Sequence, residues 1–366
     1  MANLFFRTNV APYRIDTYNA LHEKLGCEFY FLYKEDSSQK FDMQALYDQC
    51  SFKPSFLKTI SVISKRQKLC TNIWSILCKE KPEVVIVPEF KILTVQVLLY
   101  KWLFRKNFKV VSMCDDSWDM IAHDHEWSKA HKKMREWVTP HLDDLLLVDD
   151  RVVSWYKDKY DKGIWLPIIR DEKREILGYE RVLPLSKELP DKFGLKDKKV
   201  LLFVGRLDPV KNLVRLFDAI SKTKEEFVTV IVGSGELETV LRQKASQTNK
   251  PIVFAGRYEG DGVRAWYNIA DAFVLASQME AFGAVTNEAL IAGCTCLVSQ
   301  NAGSAGLING DNGRTIDPYD VDSMATIIDE TMQAIKVRKE ITLRPCKMAF
   351  TFEETIDRVI NGLKSL

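Results

Sequence analysis

No run of apolar residues in this chain is long enough to cross a bilayer. Its most apolar helix candidate, "ILTVQVLLYKWLF", is too short and is interrupted by a lysine. The opening stretch, "MANLFFRTNVAPYR", lacks a charged segment followed by an apolar one, so no export signal is expected. There is no CxxC pair among the eight cysteines, which lie mostly inside apolar runs. That pattern argues against a disulfide framework or a zinc site and for reduced core cysteine in a cytoplasmic protein. Neither a GxxxxGK[ST] loop nor a GxGxxG turn occurs, which counts against a P-loop ATPase or a dinucleotide-dependent dehydrogenase. Charge of one sign is not in excess either, with 52 Lys and Arg against 50 Asp and Glu. Low-complexity segments and short-period repeats are absent.

What is present is a chain of 366 residues, too long for one comfortable core and best read as two domains of about 150 to 200 residues. Strand-like runs alternate with helix-like ones throughout. In the first half the strands read "NLFFRT", "EFYFLYK", "EVVIVPE", "KVVSMCD" and "LLLVDD"; in the second half, "KVLLFVG", "FVTVIVG", "PIVFAG", "DAFVLAS" and "TCLVSQ". Most are continuous apolar runs, as expected of parallel strands covered on both faces. The alternation predicts two doubly wound α/β sheets. The stretch "WLPIIRDEKREILGYERVLPLSKELPDKFGL", with three prolines, many charges and no sustained periodicity, reads as the linker between them. Two such sheets are expected to face each other through the carboxyl ends of their strands, where ligands of this architecture bind.

The second half concentrates anion-binding chemistry at those ends. After "KVLLFV" come Gly205, Arg206 and, just before a helix, Lys211; after "DAFVLAS" comes "QMEAFGAVTNEALIAGC", with Gly283 at a predicted helix start. A helix N-terminus offers free N–H groups and a positive dipole end. Arg206 can fork onto phosphate and Lys211 can add a point charge, so a diphosphate could be neutralised without a divalent cation. Glu280 and Glu288 are eight positions apart, roughly 12 Å if wholly helical and less if the start is bent. Such a pair suits the two ends of a nucleotide sugar, with a ribose diol at one acid and sugar hydroxyls at the other.

These motifs, "GRLDPVKN", "EAFGAVTNEAL" and "NAGSAGLINGDNGRTIDP", resemble the donor-binding half of a retaining GT-B glycosyltransferase of glycosyltransferase family 4. The resemblance runs from about Lys199 to Asp317; the first half is similar only in outline. It implies two Rossmann-like domains facing across a cleft: residues 1–170 with a crossing helix at 351–366, and residues 171–350. By the same resemblance, Arg206 and Lys211 bind the donor diphosphate and stabilise the leaving group. Glu280 lies near the transferred sugar, and Glu288 holds the ribose. Phe282, Gly283 and Ala284 form a turn whose backbone meets sugar and phosphate, with Gly205 also on the donor side. Arg257 and Tyr258 frame the base. The expected donor is a UDP- or GDP-sugar, with no further cofactor and no metal. Acceptor-side candidates are Asn9, Tyr13 and Arg14, in "TNVAPYR" where the family usually has a glycine-rich loop. Asp115 and Asp116 join them, in "VVSMCDDSWDM" where many members carry a histidine.

Other features admit two readings each. Asp115 and Asp116 could instead cap the segment that follows. His123, His125, His131 and His141 lie near Asp115, Asp116, Asp119 and Asp124, but the spacing fits no metal-ligand set, and polar residues beside a cleft are expected. Between Ser51 and Val110, twelve basic residues face three acidic ones. The segment "FKILTVQVLLYKWLFRKNFK" in that region is an internal helix with a basic edge or a surface for anionic lipid. Nucleic acid is a poor partner, as no recognised module accompanies the charge. The expected activity is sugar transfer to a glycan or lipid-linked saccharide in surface polysaccharide assembly. The protein would then be cytoplasmic, with possible peripheral attachment to the inner membrane face. The alternatives are a nucleotide-sugar epimerase or phosphorylase, or a non-catalytic nucleotide-sugar-binding partner.

Overall fold

The computed structural model describes residues 3–34, 42–64, 67–123 and 127–366. Asp124 and His125, named above, lie outside the described residues, as do Lys65 and Arg66 of the twelve basic residues between Ser51 and Val110. Fifteen strands are present among those described. In chain order they are β1 (Asn3–Arg7), β2 (Cys27–Phe31), β3 (Ser55–Phe56), β4 (Thr59–Ser64), β5 (Gln67–Cys70), β6 (Val84–Pro88), β7 (Lys109–Cys114), β8 (Asp144–Leu147), β9 (Ile164–Trp165), β10 (Val200–Val204), β11 (Val228–Val232), β12 (Ile252–Gly256), β13 (Ala272–Leu275), β14 (Thr295–Ser299) and β15 (Gly313–Ile316). All ten strands read from the sequence are among them.

Two compact units result. The first comprises Met1–Asp116, Ile121–Ile169 and Phe352–Leu366; the second comprises Arg170–Thr351 with Ser117–Met120. The first holds a seven-stranded sheet in the order β3-β2-β1-β6-β7-β8-β9, and the second a six-stranded sheet in the order β12-β11-β10-β13-β14-β15. Every pairing within these two sheets is parallel. Only the hairpin β4–β5 is antiparallel. In each large sheet the winding direction reverses once, between β1 and β6 in the first and between β10 and β13 in the second. Loops leaving the carboxyl ends of such a pair diverge to opposite faces and leave a crevice between them, where this architecture binds ligands.

The residue types explain the strands. "VLLFV" in β10 and "VTVIV" in β11 are buried at every position, which suits central strands covered on both faces. Helix Leu213–Lys222 closes one face of the second sheet with Leu216, Phe217 and Ile220, which pack into the same core as Leu201, Phe203 and Ile231. In the first unit, Leu4, Val85 and Val110 meet the helix Ile92–Leu103 through Leu93 and Val97.

The stretch read as a linker is not one. It holds two helices of the second unit, Glu172–Arg181 and Leu183–Lys192. Asp171 caps the first by accepting from the Lys173 N–H. Pro184 stands at the start of the second, where a missing N–H costs nothing. The charges that hid its periodicity are partly internal, since Glu175 is 2 % exposed. The helix expected to begin at Gly283 begins at Val285 and ends at Ile291. The helix Phe352–Lys364 is part of the first unit, with Ile356, Val359, Ile360 and Leu363 buried.

Candidate functional site

At the reversal point of the second sheet, the loops leaving β10 and β13 are bound to one another. Beyond β10 the chain passes Gly205 and Arg206 into a tight turn, Pro209–Lys211, and then Asn212 takes a left-handed conformation that starts the next helix. The Asn212 side-chain amide donates to the Ala276 carbonyl at 3.1 Å and to the Pro318 carbonyl at 2.7 Å. The Gln278 N–H donates to the Val210 carbonyl at 2.8 Å. Lys211 is thereby fixed beside Glu280, and its ammonium pairs with the Glu280 carboxylate; both side chains are largely enclosed. Ser277 Oγ adds a longer bond of 3.4 Å to the same oxygen. Arg206, by contrast, is 79 % exposed, with its guanidinium 3.2 Å from Asp208. The loop thus presents one positioned cation and one extended cation.

Glu280 is held from behind by its backbone. Its carbonyl accepts from Gly303 N–H at 3.2 Å, and the Phe282 carbonyl accepts from Ser304 N–H at 2.8 Å. The Phe282 ring is buried, so only the backbone of that turn is available to a ligand. Gly283 has φ +89°, and a Cβ there would lie 2.6 Å from Leu275 Cδ2. Only glycine lets the chain turn so closely over the end of β13.

Glu288 has different surroundings. Its carboxylate accepts from the Tyr267 hydroxyl at 3.1 Å, while the Tyr179 hydroxyl donates to its backbone carbonyl at 2.8 Å. Glu175 lies in the same cluster, gripped by Arg170 at 2.7 Å and by Arg264 at 3.0 and 3.1 Å. Burial pushes the Glu288 carboxyl above the usual glutamate range and Glu175 adds to the rise, with Arg170 working against it. In Glu175 burial also pushes upward, but the Arg264 bond and the two guanidinium charges prevail and hold it low.

Arg257 and Tyr258 follow β12, with β11 between them and β10. Arg257 pairs with Glu259, its Nε at 2.9 Å. Tyr258 meets the Trp266 ring edge-on at 5.7 Å. Several residues that complete this arrangement were not singled out in the sequence: Asn212, Arg170, Glu175, Arg264, Tyr267 and Gly233. Gly233 had a signal, in "GSGE" directly after β11. A Cβ on it would overlap the Gly205 carbonyl oxygen, so the two loops touch through glycine backbones. Asn212 closes the quoted motif "GRLDPVKN"; Arg170, Glu175, Arg264 and Tyr267 had no signal, because a charged or aromatic residue does not by itself announce an internal partner.

In the first unit, β1 and β7 deliver a second polar cluster. Asp115 accepts from Arg7 at 2.7 Å and from Arg14 at 2.6 Å. Burial pushes its carboxyl up, and the two guanidinium groups more than offset this, holding it below the usual range. Asp116 pairs with Arg135 at 2.6 Å, and Arg135 also donates to the Tyr156 hydroxyl. Both aspartates are therefore committed to arginines, of which the sequence had pointed to Arg14 but not to Arg7 or Arg135. Arg14 is fully buried, Tyr13 is 36 % exposed and Asn9 is half-buried. No set of three or more His, Cys, Asp or Glu among the described residues is grouped to hold a metal ion. His141 Nδ1 lies 2.7 Å from the Trp137 carbonyl, and His131 packs on Trp127.

Comparison with known proteins gives this geometry relatives. Residues 186–342 match the family described as glycosyl transferases group 1. The chain is 35 % identical over 141 residues to the uncharacterized glycosyltransferase MJ1607 of Methanocaldococcus jannaschii, covering 37 % of this chain and 36 % of that protein. Matches to curated relatives of this kind span between a quarter and about half of their length. Among solved structures, Alr3699/HepE of Anabaena in complex with UDP superposes with a TM-score of 0.76 at 15 % identity, each chain covered in full. The lipopolysaccharide outer core galactosyltransferase WaaB gives 0.72 at 17 %, covering 100 % of this chain and 99 % of that one. The chain thus has the GT-B fold, and over residues 186–342 it matches the glycosyl transferases group 1 family.

Proposed function

We propose that this protein is a retaining glycosyltransferase of family 4 that uses a nucleotide diphosphate sugar, with UDP- and GDP-sugars the preferred donors, and needs no metal ion. The observation that carries this reading is the joined pair of loops after β10 and β13, which sets Lys211 against Glu280 at the reversal point of a sheet matching the group 1 family. Binding of UDP by the structurally similar HepE supports the donor class.

The chemistry follows from where charge develops. The bond between the anomeric carbon and the β-phosphate oxygen breaks, and its electron pair leaves on that oxygen. An acceptor hydroxyl adds to the same face of the anomeric carbon, and its proton passes to the departing phosphate. Lys211 and Arg206 stabilise the phosphate charge as it grows, which lowers the barrier more than it tightens donor binding. Glu280 positions sugar hydroxyls and holds Lys211 in place before the donor arrives. Glu288, among Tyr267 and Arg170, receives the ribose diol. Arg257 and Tyr258 meet the base, and the backbone of Phe282, Gly283 and Ala284 meets the phosphates. Asn9, Tyr13, Arg14, Asp115 and Asp116 belong to the acceptor-binding unit. With both its oxygens engaged by arginines, Asp115 orients an acceptor and does not take its proton. The acceptor is a glycan or lipid-linked saccharide, and surface polysaccharide assembly at the cytoplasmic membrane is the setting that the WaaB likeness suggests.

The test is thermal shift of the full chain with UDP-, GDP-, ADP- and CMP-sugars in the presence of EDTA, followed by transfer to a saccharide acceptor. One nucleotide sugar should raise the melting temperature without metal, and Lys211→Ala should lower kcat by about 10² to 10³. A chain that no nucleotide sugar stabilises, or a Lys211→Ala variant that turns over normally, defeats the reading. Inversion at the anomeric carbon of the product would overturn its stereochemical part.

A further inference from the structure

The opposite edge of the first unit's sheet carries a feature that the donor reading does not use. Asn3, Val84 and Lys109, at the amino ends of β1, β6 and β7, line a groove of about 760 Å³. Its apolar lining includes Leu77, Tyr100, Phe108 and Leu363. Its lining side chains also include Lys24, Lys81, Lys106, Lys109 and Lys364, opposed by Glu83. Two of these lysines are already engaged, Lys24 with Asp357 at 2.7 Å and Lys109 with Asp143 at 3.6 Å. Lys81, Lys106 and Lys364 are exposed and make no ion pair among the described residues.

A convex apolar turn adjoins this groove. Helix Ile92–Leu103 ends in Trp102, Leu103 and Phe104, which are 75 %, 53 % and 52 % exposed. The Phe104 ring lies 4.9 Å from Tyr100 and 5.8 Å from Trp74, and Tyr100 in turn lies 6.3 Å from Phe108. The turn is therefore continuous with the groove wall. Arg105 follows in a left-handed conformation, and Lys106 N–H closes the turn on the Lys101 carbonyl at 2.9 Å. Three consecutive large apolar residues on a surface call for a partner. Their projection from a turn, with tryptophan leading and unpaired lysines beside them, matches a polar–apolar boundary that carries negative charge.

We propose that this face of the first unit docks on the surface of an anionic phospholipid bilayer. Trp102, Leu103 and Phe104 enter the headgroup–acyl boundary, and Lys81, Lys106 and Lys364 meet lipid phosphates at the groove. The proposal stands apart from the donor reading, since none of its residues belongs to the second unit.

The experiment is flotation of the full chain with vesicles of phosphatidylcholine mixed two to one with phosphatidylglycerol, and with vesicles of phosphatidylcholine alone. The wild-type chain should float with the anionic vesicles and remain behind with the neutral ones. The variant Lys81→Gln/Lys106→Gln/Lys364→Gln should lose about fivefold in partitioning per lysine, roughly a hundredfold in all. Trp102→Ser/Leu103→Ser should lose about tenfold or more while keeping the melting temperature and donor-induced shift of the parent. Equal partitioning into neutral vesicles, or variants that float like the parent, would overturn the proposal. So would sedimentation showing that the wild-type chain self-associates through this turn and that Trp102→Ser/Leu103→Ser is monomeric, since the occupant would then be a second copy.

Discussion

Glu288 sits among Tyr267, Tyr179 and the Glu175 carboxylate, and its ionisation works against folding. In the folded chain it holds its proton more tightly than in the unfolded chain. Stability is therefore lost as pH rises from the ordinary glutamate value of 4.5 through the raised one. Glu288→Gln removes the charge and keeps an acceptor for Tyr267. The variant should melt higher than the parent at neutral pH, with the difference disappearing below about pH 4.5. If Glu288 binds the ribose, the same variant should bind the donor about tenfold more weakly, as titration calorimetry would read. Asp115 has the opposite sign. Held low by Arg7 and Arg14, it contributes stability that is present above the ordinary aspartate value of 3.8 and is lost as pH falls through the depressed one. Asp115→Asn leaves Arg14 buried without its counter-charge and should cost about 3 kcal/mol in denaturant unfolding at neutral pH. That gap should narrow below about pH 4.

At the scale of the element, the turn Phe282–Ala284 does more than begin a helix. Gly283→Ala would strain a φ of +89° and press a methyl group to within 3.2 Å of Glu280 Cγ as well as against Leu275. Expected effects are a loss of about 1 to 3 kcal/mol in stability and weaker donor binding, because Glu280 is pushed off Lys211. An alanine variant with unchanged donor affinity in a thermal-shift titration would show that the turn is not part of the site. This turn was legible in the sequence because glycine between an aromatic residue and a helix has few other uses. Most of the ten strands read from the sequence were legible for a similar reason: continuous apolar runs such as those of β10 and β11 suit a doubly covered sheet. β15 was not: Gly313–Ile316 is a four-residue edge strand whose middle residues, Arg314 and Thr315, are exposed, so it has no apolar run to read. Helices Glu172–Arg181 and Leu183–Lys192 were missed because their inward face includes Glu175, and an internal ion pair looks like solvent-facing charge until its partner is known. The same limit hid Arg7 and Arg135. Their roles depend on pairings across about a hundred residues with Asp115, or from a separate helix with Asp116, and no local pattern encodes them.

For the whole molecule, the chain leaves the first unit at Ile169, builds the second, and returns at Phe352. The returning helix packs on the helix Ile15–Leu25 and on β9, with Lys24 bonded to Asp357 at 2.7 Å and Ile356 1 % exposed. Ile356→Ala should therefore weaken the first unit by about 2 to 5 kcal/mol. Its unfolding transition would move to lower denaturant while the donor-induced stabilisation of the second unit remains. Loss of both together would show that the two units unfold as a single cooperative block.

That return also imposes an order on biosynthesis. A ribosome translating this message finishes every strand of the second sheet before it reaches the codons for Phe352–Lys364. Until then the nascent first unit leaves uncovered the part of helix Ile15–Leu25 on which that returning helix packs. The half that is made first is thus the half that matures last, and it is the natural client for a chaperone acting at the tunnel exit.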